Sequence, residues 1–207
     1  MRGLICKSAA AIVGVAVATS PAMAGGKIHP LEGLNPVDYG FSTNFGVQAW
    51  FRGYEFTVQG DNVVATEIGL RTPATGQQVT LQLWRNSTMT LVASTTTILT
   101  PGNVWEYHSI TPVPLINGER YTVGIHSPGT NAAYYFRNNL PAEWYPTGVI
   151  KYETMRFHNS AAVQYPTSTL AGYHYGIVDI GYVIPAPGAL ALLGLGAAVG
   201  TRRRRRA

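Results

Sequence analysis

Alternation of apolar and polar residues with a period of two is the feature that most constrains this chain. Tyr54, Phe56 and Val58 alternate with polar neighbours, and the pattern returns at 79–84 and 121–126. Strict alternation predicts strands with one buried face. Turn-forming Gly, Pro, Asn and Asp residues separate these runs, and no stretch of the body shows a sustained helical apolar stripe. The sequence therefore predicts an all-β, antiparallel body.

The spacing of these runs predicts eight or nine strands within residues 51–183. Their expected spans are 52–58, 63–71, 77–85, 88–97, 104–110, 119–127, 133–137, 148–158 and 172–183. Strands at this spacing, joined by Gly and Pro turns, are typical of a sandwich or barrel. We expect an antiparallel β-sandwich like a jelly roll, with an immunoglobulin-like sandwich as the alternative. Residues 25–50 begin rich in Gly and Pro, and are predicted to form a flexible leader and a first turn region.

The first 24 residues have the order of a secretory signal. Two basic residues precede an uncharged, mostly apolar stretch at 9–17, and Ala22-Met23-Ala24 supplies the small residues that signal peptidase recognises. Residues 1–24 are thus predicted to be a signal peptide, with the mature chain beginning at Gly25. Cys6, the one cysteine, would be removed with the signal, which excludes disulfides and thiol catalysis in the mature chain.

The C-terminal end combines an apolar segment with a terminal cluster of arginines. Residues 180–201 carry no charge over 22 positions, are interrupted by two prolines, and are followed by five arginines. A helix over 188–201 would be about 21 Å long, short of a hydrocarbon core of about 30 Å, and it would span with snorkelling arginines and local thinning. The arginines would stay on the cytoplasmic side. Residues 184–207 are therefore predicted to be a sorting tail with a short transmembrane helix.

The order of proline motif, apolar segment and arginine cluster resembles the PEP-CTERM sorting signal of Gram-negative bacteria, with Ala in place of the usual Glu between the prolines. The resemblance covers residues 183–207. It implies processing by an exosortase, a membrane transpeptidase-like protease, after export to the cell envelope, and then a cell-surface or extracellular location. A plain C-terminal anchor is the alternative. The residues of the sorting motif are Pro185, Ala186, Pro187, Arg202, Arg203, Arg204, Arg205 and Arg206.

A second resemblance covers residues 51–130. It includes the strand Gly53-Tyr-Glu-Phe-Thr-Val58 and the pattern Leu115-x-x-Gly118-x-x-Tyr121-x-Val123. These motifs resemble a β-sandwich domain of unknown function found in exported bacterial proteins. The resemblance implies the fold and no catalytic residues.

The charge of the chain is concentrated at its ends. The whole sequence has 15 basic and 10 acidic residues, a net charge of +5. Seven of the basic residues are Arg2, Lys7 and 202–206, so the remainder holds 8 basic against 10 acidic residues, or −2. A body of this charge offers no footprint for nucleic acid, which requires clustered Lys and Arg.

The body shows no sequence motif for catalysis. There is no H-E-x-x-H, G-x-S-x-G or phosphate-binding loop, and the carboxylates are scattered. His108, His126 and His174 are predicted to face solvent from strands, so no metal site is expected. The one cofactor that the sequence does not exclude is Ca²⁺, for which Asp61-Asn62 in a turn would supply ligands. We therefore expect a protein that is not an enzyme, with a polysaccharide hydrolase or lyase as the remaining enzymatic alternative.

Aromatic residues are the most suggestive excess in the body. Trp84 has the outward parity of its strand, and Trp144-Tyr145 lies in a loop bounded by prolines. Flat aromatic faces suit sugar rings and partner surfaces, so these three residues are candidate glycan-binding positions. The predicted function is a non-catalytic cell-envelope or extracellular-matrix protein, structural or adhesive. The alternative is a carbohydrate-binding module acting on exopolysaccharide.

Overall fold

The computed structural model describes residues 25–46, 48–73, 76–100, 103–129 and 132–185. These residues form twelve strands and one turn of 3₁₀ helix, Ala142–Trp144. The strands are β1 Ser42–Gly46, β2 Trp50–Val58, β3 Val64–Leu70, β4 Gln78–Arg85, β5 Thr90–Ile98, β6 Glu106–Pro114, β7 Arg120–Ser127, β8 Ala132–Asn138, β9 Ile150–His158, β10 Ser168–Leu170, β11 Tyr173–His174 and β12 Val178–Val183. The expectation of an all-β body is confirmed.

The strands pair in three sheets, and every pairing is antiparallel. The largest sheet has six strands in the order β10-β9-β2-β7-β4-β5. Two three-stranded sheets have the orders β12-β3-β6 and β1-β8-β11. One continuous hydrophobic core draws side chains from all three sheets, as in a β-sandwich.

The period-two pattern predicts correctly which side chains fill this core. Tyr54, Phe56 and Val58 of β2 are fully buried, as are the apolar residues of β4 and β7 at the same parity. They pack against Ile68 of β3 and Ile180 of β12. Burial of each large apolar side chain stabilises the fold by about 1.5–3 kcal/mol. The opposite parity of β2 lies on the outer face of the six-stranded sheet, where the candidate site is found.

A hydrogen bond explains the Leu-x-x-Gly-x-x-Tyr-x-Val pattern. The Ile116 amide donates to the hydroxyl of Tyr121, with 3.2 Å between nitrogen and oxygen, and Gly118 between them has a φ of 78°. A tyrosine whose hydroxyl bonds back to the backbone just upstream stabilises the connection between the two sheets of a sandwich. The motif thus fixes the crossing from β6 to β7.

The expectation of a flexible leader at the start of residues 25–50, from Gly25 to about Pro36, is not matched by the contacts of this segment. Ile28 pairs with Tyr182 through two backbone hydrogen bonds, of 2.8 and 3.1 Å, and Leu31 is fully buried. His29 stacks on Tyr107 with ring centroids 3.7 Å apart. The segment also contains β1, which pairs with β8. The segment is held to the body by a few isolated apolar side chains. These do not recur with a regular period, so the sequence pattern does not reveal them.

The predicted strands differ from the observed ones at three further points. The last predicted strand, 172–183, is two strands, because Gly176 takes a φ of 57° between β11 and β12. The short strand β10 was not predicted. Strand β6 continues to Pro114, beyond the predicted end at 110, because it lies at a sheet edge, where proline is tolerated.

The predicted signal peptide, Ala186, Pro187 and the five terminal arginines lie outside the described residues. Pro185 is described and lies two residues beyond the end of β12. Within the part of the chain that the structure describes, no helix has the length and hydropathy needed to cross a membrane.

Candidate functional site

A cleft lies on the outer face of the six-stranded sheet. It has a volume of about 590 Å³. Its floor is Glu55 of β2, its sides are Arg120 and Arg156, and its rim includes the β4–β5 turn and Tyr165. The volume falls within the range of about 300–1,000 Å³ typical of small-molecule sites. We therefore take this cleft as the candidate functional site.

Strand register brings the charged floor of the cleft together. Glu55 lies opposite Thr122 on β7 and opposite Thr154 on β9. Arg120 and Arg156 are each two residues from those partners, so both are diagonal neighbours of Glu55 on the same face. The alternation that buries Tyr54 inward therefore also places these three charges side by side outward.

Each carboxylate oxygen of Glu55 is bound by an arginine. Arg120 Nη1 donates to Oε1 at 3.2 Å, and Arg156 Nε donates to Oε2 at 2.7 Å, with Nη2 of the same guanidinium on that oxygen too. One negative charge thus stands against two positive charges, and the group of three has one positive charge in excess. A buried carboxylate whose two oxygens each accept from an arginine fixes both guanidinium groups in place.

A second ion pair borders the cleft. Arg85 donates to Glu119 Oε2 from Nε at 3.1 Å and from Nη2 at 2.6 Å. The hydrogen bonds from Arg85 lower the pKa of Glu119 below its usual value, so Glu119 is ionised and paired at neutral pH. Neither carboxylate of the cleft is free to act as a general acid.

The wall of the cleft is polar and aromatic. Thr122 Oγ1 donates to Asn86 Oδ1 at 2.9 Å, which leaves the buried Asn86 Nδ2 without a partner at the cleft edge. The Arg156 guanidinium lies 5.7 Å from the centroid of the Tyr165 ring. Amide, guanidinium and phenol groups together can donate to hydroxyl and carbonyl oxygens of a polar ligand.

The structure buries two of the three predicted glycan-binding residues. Trp84 does point outward, as its parity predicts, but it is only 6% exposed because Tyr165 lies edge-on against it, 6.0 Å between centroids. Trp144 is fully buried against Phe41, with centroids 4.6 Å apart. Tyr145 is half-buried. The prediction of an exposed aromatic platform at Trp84 and Trp144 therefore does not match their burial.

His126 and His174 differ from their prediction as solvent-facing residues, and His158 at the end of β9 is buried with them. His126 and His158 are buried on the outer face, with ring centroids 5.9 Å apart, and His174 is buried in the core. Burial lowers the pKa of His126 and His158, and it lowers the pKa of His174 to about 3. All three are neutral at pH 7.

The described residues contain no group of three or more His, Cys, Asp or Glu side chains able to hold a metal ion. Asp61 lies in the turn for which the sequence did not exclude Ca²⁺ binding. Its Oδ1 accepts a hydrogen bond from Asn117 Nδ2 at 3.1 Å.

A smaller cleft of about 370 Å³ lies beside the sheet β1-β8-β11. Phe136 and Tyr173 stack there with centroids 5.0 Å apart, next to Arg137. The sequence gives no sign that these two aromatics share a cleft, since β8 and β11 are distant along the chain.

Comparison with known proteins adds little to this geometry. No family model matches the chain, and no curated protein sequence matches it. Two chains of solved structures match. One is the crystal structure of the cysteine protease and lectin-like domains of Cwp84, a surface layer associated protein of Clostridium difficile, at 13% identity and a TM-score of 0.39. The match covers 67% of this chain and 33% of that chain, so it spans about a third of that protein, and a likeness this low carries no argument about function.

Proposed function

We propose that this chain is an exported, non-catalytic protein of the cell envelope or extracellular matrix, with a structural or adhesive role. An exosortase-type enzyme would process its tail after membrane retention. The observation that supports this best is the position of the two ends of the body. Gly25 lies against Ile184, since a Cβ on this glycine would be 2.6 Å from the Ile184 oxygen. The two ends of the body therefore adjoin one region of its surface.

Deletion of residues 185–207 tests the sorting proposal. We expect the truncated protein to move from the envelope fraction to the medium, because its membrane-retained segment is gone. A matched variant, Pro185→Ala with Pro187→Ala, keeps the apolar segment and should remain in the membrane unprocessed. Unchanged fractionation of the deletion variant refutes the proposal.

The non-catalytic role is supported by the charges of the larger cleft. Glu55 and Glu119 are both held by arginines, so neither is available as the free acid or base that a glycosidase needs in a facing pair.

We also propose that the sandwich is of the jelly-roll type. A body of this kind serves as a rigid support for loops and clefts on its surface.

Carbohydrate binding in the larger cleft is a second candidate function. The observation that favours it is a cleft of about 590 Å³ in which amide, guanidinium and phenol groups converge. Arg120→Gln is the sharpest test, since its side chain is 59% exposed and Arg156 still holds Glu55. Affinity for purified exopolysaccharide should fall by about tenfold. The matched control is Arg137→Gln in the smaller cleft, and equal affinities for both variants and the parent protein exclude the larger cleft.

A further inference from the structure

Arg52 is a buried cation without a carboxylate partner among the described residues. It is 6% exposed. Its Nη1 donates to the carbonyls of Phe51 and His158, at 2.8 and 2.9 Å, and its Nη2 donates to Asn159 Oδ1 at 2.8 Å. Its Nε has no partner. The guanidinium has five N–H groups. Three of them donate to neutral oxygens, while one on Nε and one on Nη2 make no hydrogen bond.

Four aromatic rings surround this guanidinium. The carbon Cζ lies 4.8 Å from the ring centroid of Tyr134, 5.3 Å from that of Tyr175, 5.5 Å from that of Trp50 and 5.7 Å from that of Phe157. Cation–π contacts offset part of the cost of removing a charge from water. They do not neutralise the charge, and a buried charge without a counter-ion remains unfavourable. The charge of Arg52 therefore favours the binding of an anion at this site.

An opening leads from solvent to this cation. Arg52 lines a cleft of about 190 Å³ with Asn44, Gln48 and Asn159, beside Tyr134 and the 61% exposed Phe45. No acidic residue lines the cleft, so within the described ranges nothing competes with an incoming anion. The volume is below that of drug-sized sites, about 300–1,000 Å³, so the cleft has room for one terminal group of a larger molecule.

The lining of this cleft selects a particular kind of anion. Side-chain amides donate to and accept from hydroxyl groups, and an exposed aromatic ring covers an apolar ring face. The remaining N–H on Nη2, at the part-buried end of the guanidinium, forms a charge-assisted hydrogen bond with a carboxylate oxygen. We propose that the cleft binds the carboxylate-bearing sugar unit of an acidic polysaccharide, with the carboxylate on Arg52. The proposal extends the carbohydrate-binding candidate to a second site and is testable apart from it, because the two clefts share no residue.

The first test compares glucuronate with glucose on the full chain by calorimetry and by the NMR signal of the Arg52 Nε–H. We expect glucuronate to bind at least about tenfold more tightly than glucose and to shift that signal. Equal affinities, or an Arg52 signal that no ligand moves, overturn the proposal. Acetate and inorganic phosphate form two further arms, and either of them matching glucuronate overturns the assignment to a sugar.

The decisive variant is Asn159→Asp, which places a carboxylate where an amide oxygen already lies 2.8 Å from the guanidinium. The variant supplies the missing counter-ion, so the melting temperature should rise while glucuronate affinity falls at least about tenfold. Asn138→Asp on the exposed end of β8 is the matched control and should change neither. Retained glucuronate affinity in Asn159→Asp overturns the proposal.

Phe45→Ala gives an independent check that does not alter the buried cation. Its side chain is exposed, and Ile98→Ala at a site 59% exposed is the matched control. We expect Phe45→Ala to weaken glucuronate binding by about threefold to tenfold, and the control to leave it unchanged. If exopolysaccharide binding depends on Arg120 but not on Phe45 or Arg52, this inference fails while the larger cleft stands.

Discussion

Acid should destabilise the body through His174, and the effect can be isolated. The ring lies in the core near Tyr54, Tyr152 and Trp144, with Nδ1 accepting from the Gly176 amide at 2.8 Å. Burial lowers the pKa of His174 from 6.5 to about 3. A folded-state pKa below the unfolded value means that the unfolded chain takes up the proton first. Stability is therefore full above pH 6.5 and is lost progressively as the pH falls toward 3.

The magnitude follows from the two pKa values. At pH 5 the unfolded imidazole favours its protonated form by a factor of about 30, whereas the folded one stays neutral, so the loss is about 2 kcal/mol. At pH 7 the same calculation gives almost no loss. For a domain whose total stability is about 5–15 kcal/mol, this is a large fraction.

The assay is urea unfolding followed by tryptophan fluorescence at pH 7 and pH 5, in the parent protein and in His174→Asn. Asparagine keeps an acceptor near the Gly176 amide but cannot titrate, so its packing loss is the same at both pH values. The advantage of the parent protein over the variant should shrink by about 2 kcal/mol at pH 5. Tyr152→Phe, which disturbs the same cluster without removing an imidazole, is the control and should show a constant difference. Parallel pH profiles for the parent and His174→Asn would refute the reasoning.

Four further variants test other parts of the structure by urea unfolding. Burial raises the pKa of Asp179 from 3.8 to about 6, so the stability that its protonated form contributes is lost as the pH rises through 6. On going from pH 7 to pH 5, the parent protein should gain about 1 kcal/mol of unfolding free energy relative to Asp179→Asn. An unfolding free-energy difference that does not change with pH contradicts this. Glu55→Gln should cost about 2 kcal/mol, since two arginines lose their counter-ion, and an unchanged midpoint argues against that pairing. Trp144→Ala should cost about 3–5 kcal/mol, and a loss below 1 kcal/mol contradicts its full burial. Tyr121→Phe should cost about 1 kcal/mol through the lost bond from Ile116, and no loss means that the hydroxyl does not secure this corner.

The sequence predicts the strands of this fold well because a strand has a short, regular period. Tyr54, Phe56 and Val58 share one face whatever the rest of the chain does, and Gly118 marks the turn before β7. The N-terminal segment has no such regularity. Leu31 and Phe41 are single anchors among turns, and their burial depends on β12 and the core, which lie far away along the chain.

The candidate site was predictable only in part. Parity places Glu55 and Arg120 outward, and that much follows from the pattern. Arg156 reaches the same face only because the β2–β9 pairing is irregular, which reverses the alternation along β9. Their convergence requires β2 to lie between β7 and β9, and these strands are not consecutive, so no local rule gives the order. Parity also fails to distinguish an outward residue from an exposed one. Trp84 points outward yet is covered by Tyr165, which the chain brings back over the sheet after β9.

Under the proposed retention by the tail, the pairing of Ile28 with Tyr182 has a mechanical consequence for the body. Any tension on that tail enters the domain at Val183, the last residue of β12. This strand is bonded to β3 on one side and to Ile28 on the other, so two neighbours share the load instead of one. A chain trimmed beyond Ile28 should therefore detach its final strand at a lower pulling force, which a single-molecule stretching measurement would show.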